Sequence, residues 1–109
     1  MNAIESITER IKQFNAERDW EQFHNPKDLA ISISVEANEL LECFLWKNPD
    51  EADKSKIKEE LADVLILAFQ MAYRCGLDIE EIMNDKIALN AKKYPVEKAK
   101  GKATKYDKL

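Results

Sequence analysis

Residues that interrupt regular structure are scarce in this chain: its 109 residues include two glycines and three prolines. This scarcity, together with abundant Glu, Lys, Ala and Leu, favours an all-α fold, because these four residues are good helix formers. The length fits one domain. A domain of this size buries its apolar surface poorly on its own, so we expect it to form a homo-oligomer.

Cysteine is also rare, and long apolar runs are absent. Cys43 and Cys75 are the only cysteines, and two cysteines without a signal segment do not make a secreted disulfide framework. The first fourteen residues carry charges where a signal peptide would be apolar. No stretch reaches about 18 uncharged apolar residues, the length that a membrane span needs. We therefore expect a cytoplasmic protein with reduced cysteines and no membrane partner.

The formal net charge of −4 is unevenly distributed along the chain. Residues 92–109 hold seven lysines against Glu97 and Asp107, a balance of +5, which leaves −9 for residues 1–91. An acidic body repels nucleic-acid phosphates, so we do not expect a nucleic acid polymer as a partner. We predict a helical domain over residues 1–95 and a solvated basic tail over residues 96–109.

Apolar periodicity predicts four helices in the first 95 residues. Asn25 and Pro26 suit the start of the second helix, and Asp78 suits the start of the fourth. In the third helix, the segment 61–72 is apolar on nearly every side and is interrupted only by Asp63 and Gln70. A helix that is apolar all round is normally buried all round, which again indicates a second subunit. The predicted helices are 4–18, 28–46, 52–74 and 78–93.

Acidic residues occur in pairs within these apolar helices. Glu36 and Glu39 are three residues apart on the second helix, and Glu60 and Asp63 are three apart on the third. Residues at this spacing share one helix face. If the two helices pack antiparallel, the four carboxylates converge, and a divalent cation would relieve their repulsion. Ligands that are all oxygen suit Mg²⁺ or Mn²⁺ better than zinc.

Two alternatives to a magnesium site can be weighed from the residues. The acidic residues could instead lie on solvated helix faces and form salt bridges with lysine. We favour this interpretation for two neighbouring glutamates outside the pairs, Glu42 and Glu59. A di-iron centre normally requires Glu-x-x-His on two helices. The single histidine, His24, lies outside both pairs, which argues against iron.

The paired motifs, ExxE at 36–39 and ExxD at 60–63, resemble the signature of the MazG-like nucleoside triphosphate pyrophosphohydrolases. Within this family the chain resembles the dCTP pyrophosphatases, and the similarity extends over nearly the whole chain, about residues 5 to 106. It includes AERDWEQFH at 16–24, FLWK at 44–47, EELADVL at 59–65 and KYP at 93–95. The resemblance implies a four-helix MazG-like bundle that oligomerisation completes, by family analogy as a tetramer.

The resemblance also implies an activity and a set of site residues. The reaction would be hydrolysis of a deoxynucleoside triphosphate to the monophosphate and pyrophosphate, which removes unwanted nucleotides from the pool. Glu36, Glu39, Glu60 and Asp63 would bind Mg²⁺, and Glu36 and Glu39 would be catalytic, with Glu39 as general base. The implied substrate-binding residues are Trp20 and Trp46 for the base, His24 for a phosphate, and Lys86, Asn90, Lys93 and Tyr94 for phosphate and sugar.

Two departures from the animal dCTP pyrophosphatases bear on the substrate. Those enzymes carry a histidine where this chain has Ile11 and a tyrosine where it has Leu67. We therefore expect either dCTP or a broader range of deoxynucleotides as substrate. Two other functions remain open at this point: a dUTPase-like phosphohydrolase, and a helical interaction protein without enzymatic activity.

Overall fold

Every regular element of the chain is a helix, and no strand is present in the computed structural model, which describes all residues from 1 to 109. The prediction of an all-α protein is confirmed. The chain divides into two units, Met1–Leu77 and Asp78–Leu109. The helices do not have the combination of length and apolar character that a membrane span requires.

Three helices form the first unit: α1 (Ala3–Glu17), α2 (Pro26–Glu42) and α3 (Lys54–Arg74). A 3-10 turn at Glu21–Phe23 joins α1 to α2. As predicted, Asn25 caps α2: its Oδ1 accepts a hydrogen bond of 2.9 Å from the backbone N–H of Asp28. This bond satisfies one of the backbone donors that every helix N-terminus leaves unpaired.

The second helix is shorter than predicted, because it ends at Glu42 rather than at Trp46. Trp46 has a backbone φ of +63°, which is the left-handed region and is incompatible with a right-handed helix. The chain then continues into a 3-10 turn at Pro49–Glu51, where Glu51 Oε1 accepts a hydrogen bond of 3.3 Å from the backbone N–H of Asn48. The irregular segment between α2 and α3 therefore begins four residues earlier than the sequence indicated.

The two longest helices, α2 and α3, pack against each other as an antiparallel hairpin, and α1 packs on α3. The core of this unit is small: Leu29 is 2% exposed, and Ile11, Cys43 and Ala72 are also buried. Many large apolar side chains remain exposed on α2, α3 and the segment between them; they include Ile31, Val35, Leu41, Leu45, Leu61 and Leu65. The third helix is thus apolar on faces that this chain alone does not cover.

The second unit consists of α4 (Ile79–Lys93) and α5 (Val96–Ala99), followed by a 3-10 turn at Tyr106–Lys108. Asp78 caps α4 as predicted, accepting a hydrogen bond of 2.9 Å from the backbone N–H of Glu81. The basic segment folds back on the end of α4, where Tyr106 contacts Tyr94 edge to face with ring centroids 6.1 Å apart.

Candidate active site

The carboxylates of α2 and α3 meet on the facing sides of the hairpin. One oxygen each from Glu36, Glu60 and Asp63 lies within 4.8 Å of the others. The i, i+3 spacing places two acidic side chains on one face of each helix, and the antiparallel packing turns these two faces toward each other. The hairpin therefore produces the cluster that the two sequence motifs predicted.

The fourth predicted ligand, Glu39, lies beside this group, where a proton on Glu36 or Glu60 can be shared with it in a hydrogen bond. The hydrogen bond with Glu39 is the largest cause that raises the pKa of Glu36 to about 7, ahead of burial. The negative charges of the neighbouring carboxylates act in the same direction. Burial, followed by the hydrogen bond with Glu39, raises the pKa of Glu60. The carboxylates repel one another, so the cluster needs a bound proton or a cation to offset its negative charge.

Burial within the cluster differs from the sequence-based expectation. Asp63, which apolar residues flank in the sequence, is exposed in this chain. The buried atoms are instead Oε2 of Glu36 and Oε2 of Glu60, and neither has a hydrogen-bond partner. Buried carboxylate oxygens are normally hydrogen-bonded or metal-bound. Burial therefore requires a partner for the two glutamates and not for Asp63.

A cavity of about 530 Å³ opens beside the carboxylates, between α1 and α3. Glu36 and Asp63 line it at one side, and two of the predicted substrate-binding residues, Trp20 and His24, also line it. The volume lies within the range of about 300–1,000 Å³ that is typical of small-molecule sites. Most of the remaining lining is apolar and includes Ile7, Ile11, Phe14, Ile66 and Leu67.

Trp20 is held in this cavity by the turn that follows α1. Asp19 adopts a φ of +55°, and the backbone N–H of Trp20 then donates a hydrogen bond of 2.9 Å to the carbonyl oxygen of Asn15. The Trp20 ring contacts Phe14 edge to face, with centroids 5.7 Å apart. His24 follows the 3-10 turn, and its buried Nδ1 has no hydrogen-bond partner. The turn thus presents one aromatic face and one free imidazole nitrogen beside the acidic cluster.

Two buried amides in the cavity wall were not among the predicted site residues. Asn15 on α1 is 1% exposed, and Gln70 on α3 is 5% exposed. Gln70 carried a signal in the sequence, since it and Asp63 are the only polar interruptions of the apolar segment of α3 and lie two helical turns apart. Asn15 was harder to identify from the sequence. It directly follows the apolar stripe of the first helix, and polar residues at ordinary surface positions of a helix show the same pattern.

Trp46 is not brought to the cavity of its own chain. Its side chain is 100% exposed, and it does not line the cavity. The remaining predicted substrate residues, Lys86, Asn90, Lys93 and Tyr94, lie on or next to α4 in the second unit. Lys86 and Asn90 are exposed there, while the ammonium group of Lys93 lies 4.8 Å from the centre of the Tyr106 ring.

Comparison with known proteins agrees with the fold. A model of the MazG-like family matches residues 31–109, which include α3, α4 and most of α2. The chain belongs to the MazG-like family.

Particular relatives are similar over almost the whole chain. Mouse dCTP pyrophosphatase 1 is 38% identical over 114 residues, covering 97% of this chain and 67% of the mouse protein. Human dCTP pyrophosphatase 1 is 36% identical, with the same coverage of each chain. A crystal structure of a pyrophosphatase from Archaeoglobus fulgidus superposes with a TM-score of 0.81 at 34% identity, covering 87% of this chain and 94% of that one. The predictions of MazG-like membership and of a nucleotide pyrophosphohydrolase are confirmed.

Proposed function

We propose that this protein is a Mg²⁺-dependent pyrophosphohydrolase that cleaves a deoxynucleoside triphosphate, with dCTP among its substrates, into the monophosphate and pyrophosphate. The observation that carries the proposal is the convergence of Glu36, Glu60 and Asp63 beside a cavity that an exposed aromatic ring lines. A nucleoside triphosphate needs these two environments side by side: the acidic cluster holds the cation that binds its phosphates, and the aromatic ring binds its base. The activity printed in the names of the mouse and human relatives supports the same reaction.

The donor set fits a hard divalent cation. Glu36, Glu39, Glu60 and Asp63 offer only carboxylate oxygens, and the buried, unpartnered oxygens of Glu36 and Glu60 are suited to a ligand that the protein does not itself supply. When bound, Mg²⁺ orients the phosphates, neutralises their charge and lowers the pKa of a water molecule. We propose Mg²⁺ as the working cofactor, with Mn²⁺ as an alternative.

Glu39 is the carboxylate best placed to accept a proton from the attacking water. It lies outside the tightest group of oxygens, yet close enough to Glu36 and Glu60 to raise the pKa of both carboxyl groups. A general base needs this combination of proximity and a free oxygen. Glu36 contributes to catalysis by holding the cluster in place and by sharing the charge.

The base is proposed to stack on Trp20, since an indole face binds any nucleobase at low entropic cost. His24 lies on the same wall and is proposed to contact a phosphate through its unpartnered Nδ1. Trp46, fully exposed, is proposed to contribute to a base site once a second copy of the chain is present. Lys86, Asn90, Lys93 and Tyr94 are proposed to contact phosphate and sugar.

The exposed apolar residues of α2 and α3 support a homo-oligomer. Leu61 and Leu65 are 44% and 50% exposed and lie one turn apart on α3. Ile31 and Val35 repeat this spacing on α2 at 52% each. Contiguous apolar surface of this kind typically marks a protein interface. We propose a homo-oligomer on this ground, and a tetramer by analogy with the family.

Product analysis tests the reaction directly. Incubation of dCTP with the protein and Mg²⁺ is expected to yield dCMP and pyrophosphate in equal amounts, measured by chromatography and a pyrophosphate-coupled assay. A parallel incubation with EDTA is expected to yield neither product. Release of orthophosphate from dCTP would contradict cleavage between the α and β phosphates. Cleavage of dUTP with no turnover of dCTP would favour the dUTPase-like alternative.

Replacing Trp20 with alanine is expected to weaken substrate binding while leaving the acidic cluster intact. Loss of one aromatic stacking partner typically costs about 1–3 kcal/mol, so KM for dCTP should rise about tenfold with a smaller change in kcat. Phe23→Ala is the matched control, because Phe23 lies in the adjacent 3-10 turn, is 62% exposed and does not line the cavity. Equal effects of the two substitutions on KM would contradict a base-stacking role for Trp20.

A further inference from the structure

We propose that the side chains of Asn15 and Gln70 recognise the base that binds in the cavity. Asn15 makes the cavity prefer a base with an exocyclic amino group over a base with a carbonyl group at the same position. This inference rests on the proposed function only in placing a nucleotide in the cavity. Both side chains line the cavity together with Trp20, and each is at least nine-tenths buried.

The orientation of the Asn15 amide is fixed by a chain of hydrogen bonds that begins at Glu21. The Glu21 carboxylate, which lies 3.7 Å from the guanidinium of Arg74, can only accept hydrogen bonds. The hydroxyl group of Tyr73 therefore donates to Glu21 Oε1, at 3.0 Å. Burial raises the pKa of Tyr73, so its hydroxyl keeps the proton that it donates.

With its proton directed to Glu21, the Tyr73 oxygen is left as an acceptor. Asn15 Nδ2 donates to this oxygen at 3.2 Å. A flipped Asn15 amide would place two acceptors against each other, so the amide is held in one orientation. Its Oδ1 accepts no hydrogen bond from the protein and is free to accept one from a ligand in the cavity.

Gln70 supplies a second acceptor from the opposite helix. Its Oε1 is buried and has no hydrogen-bond partner. A buried, unpaired amide oxygen destabilises the protein, and a ligand that donates a hydrogen bond to it removes this cost. Asn15 on α1 and Gln70 on α3 therefore bring two unpartnered acceptors to the lining of one cavity, whose remaining wall is mostly apolar.

An exocyclic amino group matches two acceptors, because it carries two N–H donors. Cytosine and adenine present such a group, whereas uracil and thymine present a carbonyl oxygen, which only accepts. A carbonyl placed against Asn15 Oδ1 would leave both oxygens unpaired and repelling. The two amides thus supply polar recognition in a cavity where Ile11 and Leu67 offer none.

The test compares the binding of dCMP and dUMP, which differ in this group and in the protonation of the adjacent ring nitrogen. Isothermal titration calorimetry of the full chain is expected to give a Kd for dCMP about tenfold or more below that for dUMP. Asn15→Leu and Gln70→Met replace each amide with an apolar side chain of similar shape and so remove one acceptor each. Each should weaken dCMP binding about tenfold, and Asn15→Leu should leave dUMP binding nearly unchanged.

Tyr73→Phe distinguishes orientation from packing. Tyr73 does not line the cavity, but removing its hydroxyl releases the Asn15 amide to rotate. The variant should bind dCMP more weakly and dUMP more tightly, and general loosening of the fold cannot produce such opposite changes. Gln13→Leu, at an exposed position on α1, is the control and should leave both Kd values unchanged. Thermal denaturation of each variant establishes that it folds.

Three results would overturn the inference. They are equal binding of dCMP and dUMP by the unsubstituted protein, equal losses for both nucleotides in Asn15→Leu and Tyr73→Phe, and no binding of either nucleotide at millimolar concentration. Failure of the proposed function gives a different pattern. In that case dCTP releases no pyrophosphate, whereas the preference for dCMP and its dependence on Tyr73 persist.

Discussion

Replacing Asp63 with asparagine is expected to reduce pyrophosphate release from dCTP by at least about 100-fold. Loss of a residue that only orients a metal ligand typically costs about 10- to 100-fold, and loss of a ligand should cost more. Asp63 donates one of the three oxygens that lie within 4.8 Å of one another. Asparagine keeps the size of the side chain but offers a neutral oxygen, which binds Mg²⁺ more weakly.

The same substitution should leave the fold intact. Asp63 is exposed, and its charge contributes to the repulsion that raises the pKa of Glu36. Thermal denaturation in EDTA should therefore give an unchanged or slightly higher midpoint. Glu59→Gln is the matched control, because Glu59 is an exposed carboxylate on the same helix, outside the cluster, and its loss should leave hydrolysis nearly unchanged. Full hydrolysis in Asp63→Asn would remove this residue from the site.

Replacing Glu36 with glutamine is expected to reduce the pH dependence that the cluster gives to stability, and to weaken Mg²⁺ binding at least about 100-fold. In the folded protein the pKa of Glu36 is raised from 4.5 to about 7. Between these values Glu36 binds more protons in the folded state than in the unfolded state, so its contribution to stability is fully present below pH 4.5 and is lost as the pH rises through 7. Because the side chain is only half-buried, solvent screening limits the loss to about 1 kcal/mol.

Urea unfolding at pH 5 and pH 7.5, with EDTA or with Mg²⁺, measures this effect. Without metal, the unsubstituted protein should be less stable at pH 7.5 than at pH 5, and Mg²⁺ should restore stability mainly at pH 7.5, where the carboxylates are ionised. Glu36→Gln should show a smaller loss between the two pH values and little response to Mg²⁺, whereas Glu59→Gln should behave like the unsubstituted protein. A stability that increases from pH 5 to pH 7.5 in EDTA would show that the cluster does not oppose folding at neutral pH.

The helices of this protein were largely predictable from local sequence, because periodicity and capping act within a few residues. Asn25 and Asp78 cap α2 and α4 as the sequence indicated. The end of α2 was wrong by four residues, since the apolar residues Phe44 and Leu45 extend the helical periodicity into a segment that leaves the helix. The positive φ of Trp46 is a property of the connection to α3, which no local pattern reports.

The acidic cluster was predictable as well, because two i, i+3 pairs on consecutive helices meet whenever those helices pack antiparallel. The burial of its members was not predictable. Asp63 stood out in the sequence by its apolar neighbours and is exposed, while the unpartnered buried oxygens belong to Glu36 and Glu60. Flanking residues in a helix point in other directions, so they do not determine what covers a given side chain.

The sequence by itself determined the helices, the two matched carboxylate pairs and the resemblance to a family, since each depends on residue types at short and fixed spacings. Only the tertiary structure decided that Asn15 and Gln70 share a wall of the cavity with Trp20, and that Tyr73 and Glu21 fix the direction of the Asn15 amide. Asn15 and Tyr73 are 58 positions apart along the chain. A hydrogen bond between such residues arises from the packing of α1 on α3, and no spacing within either helix encodes it.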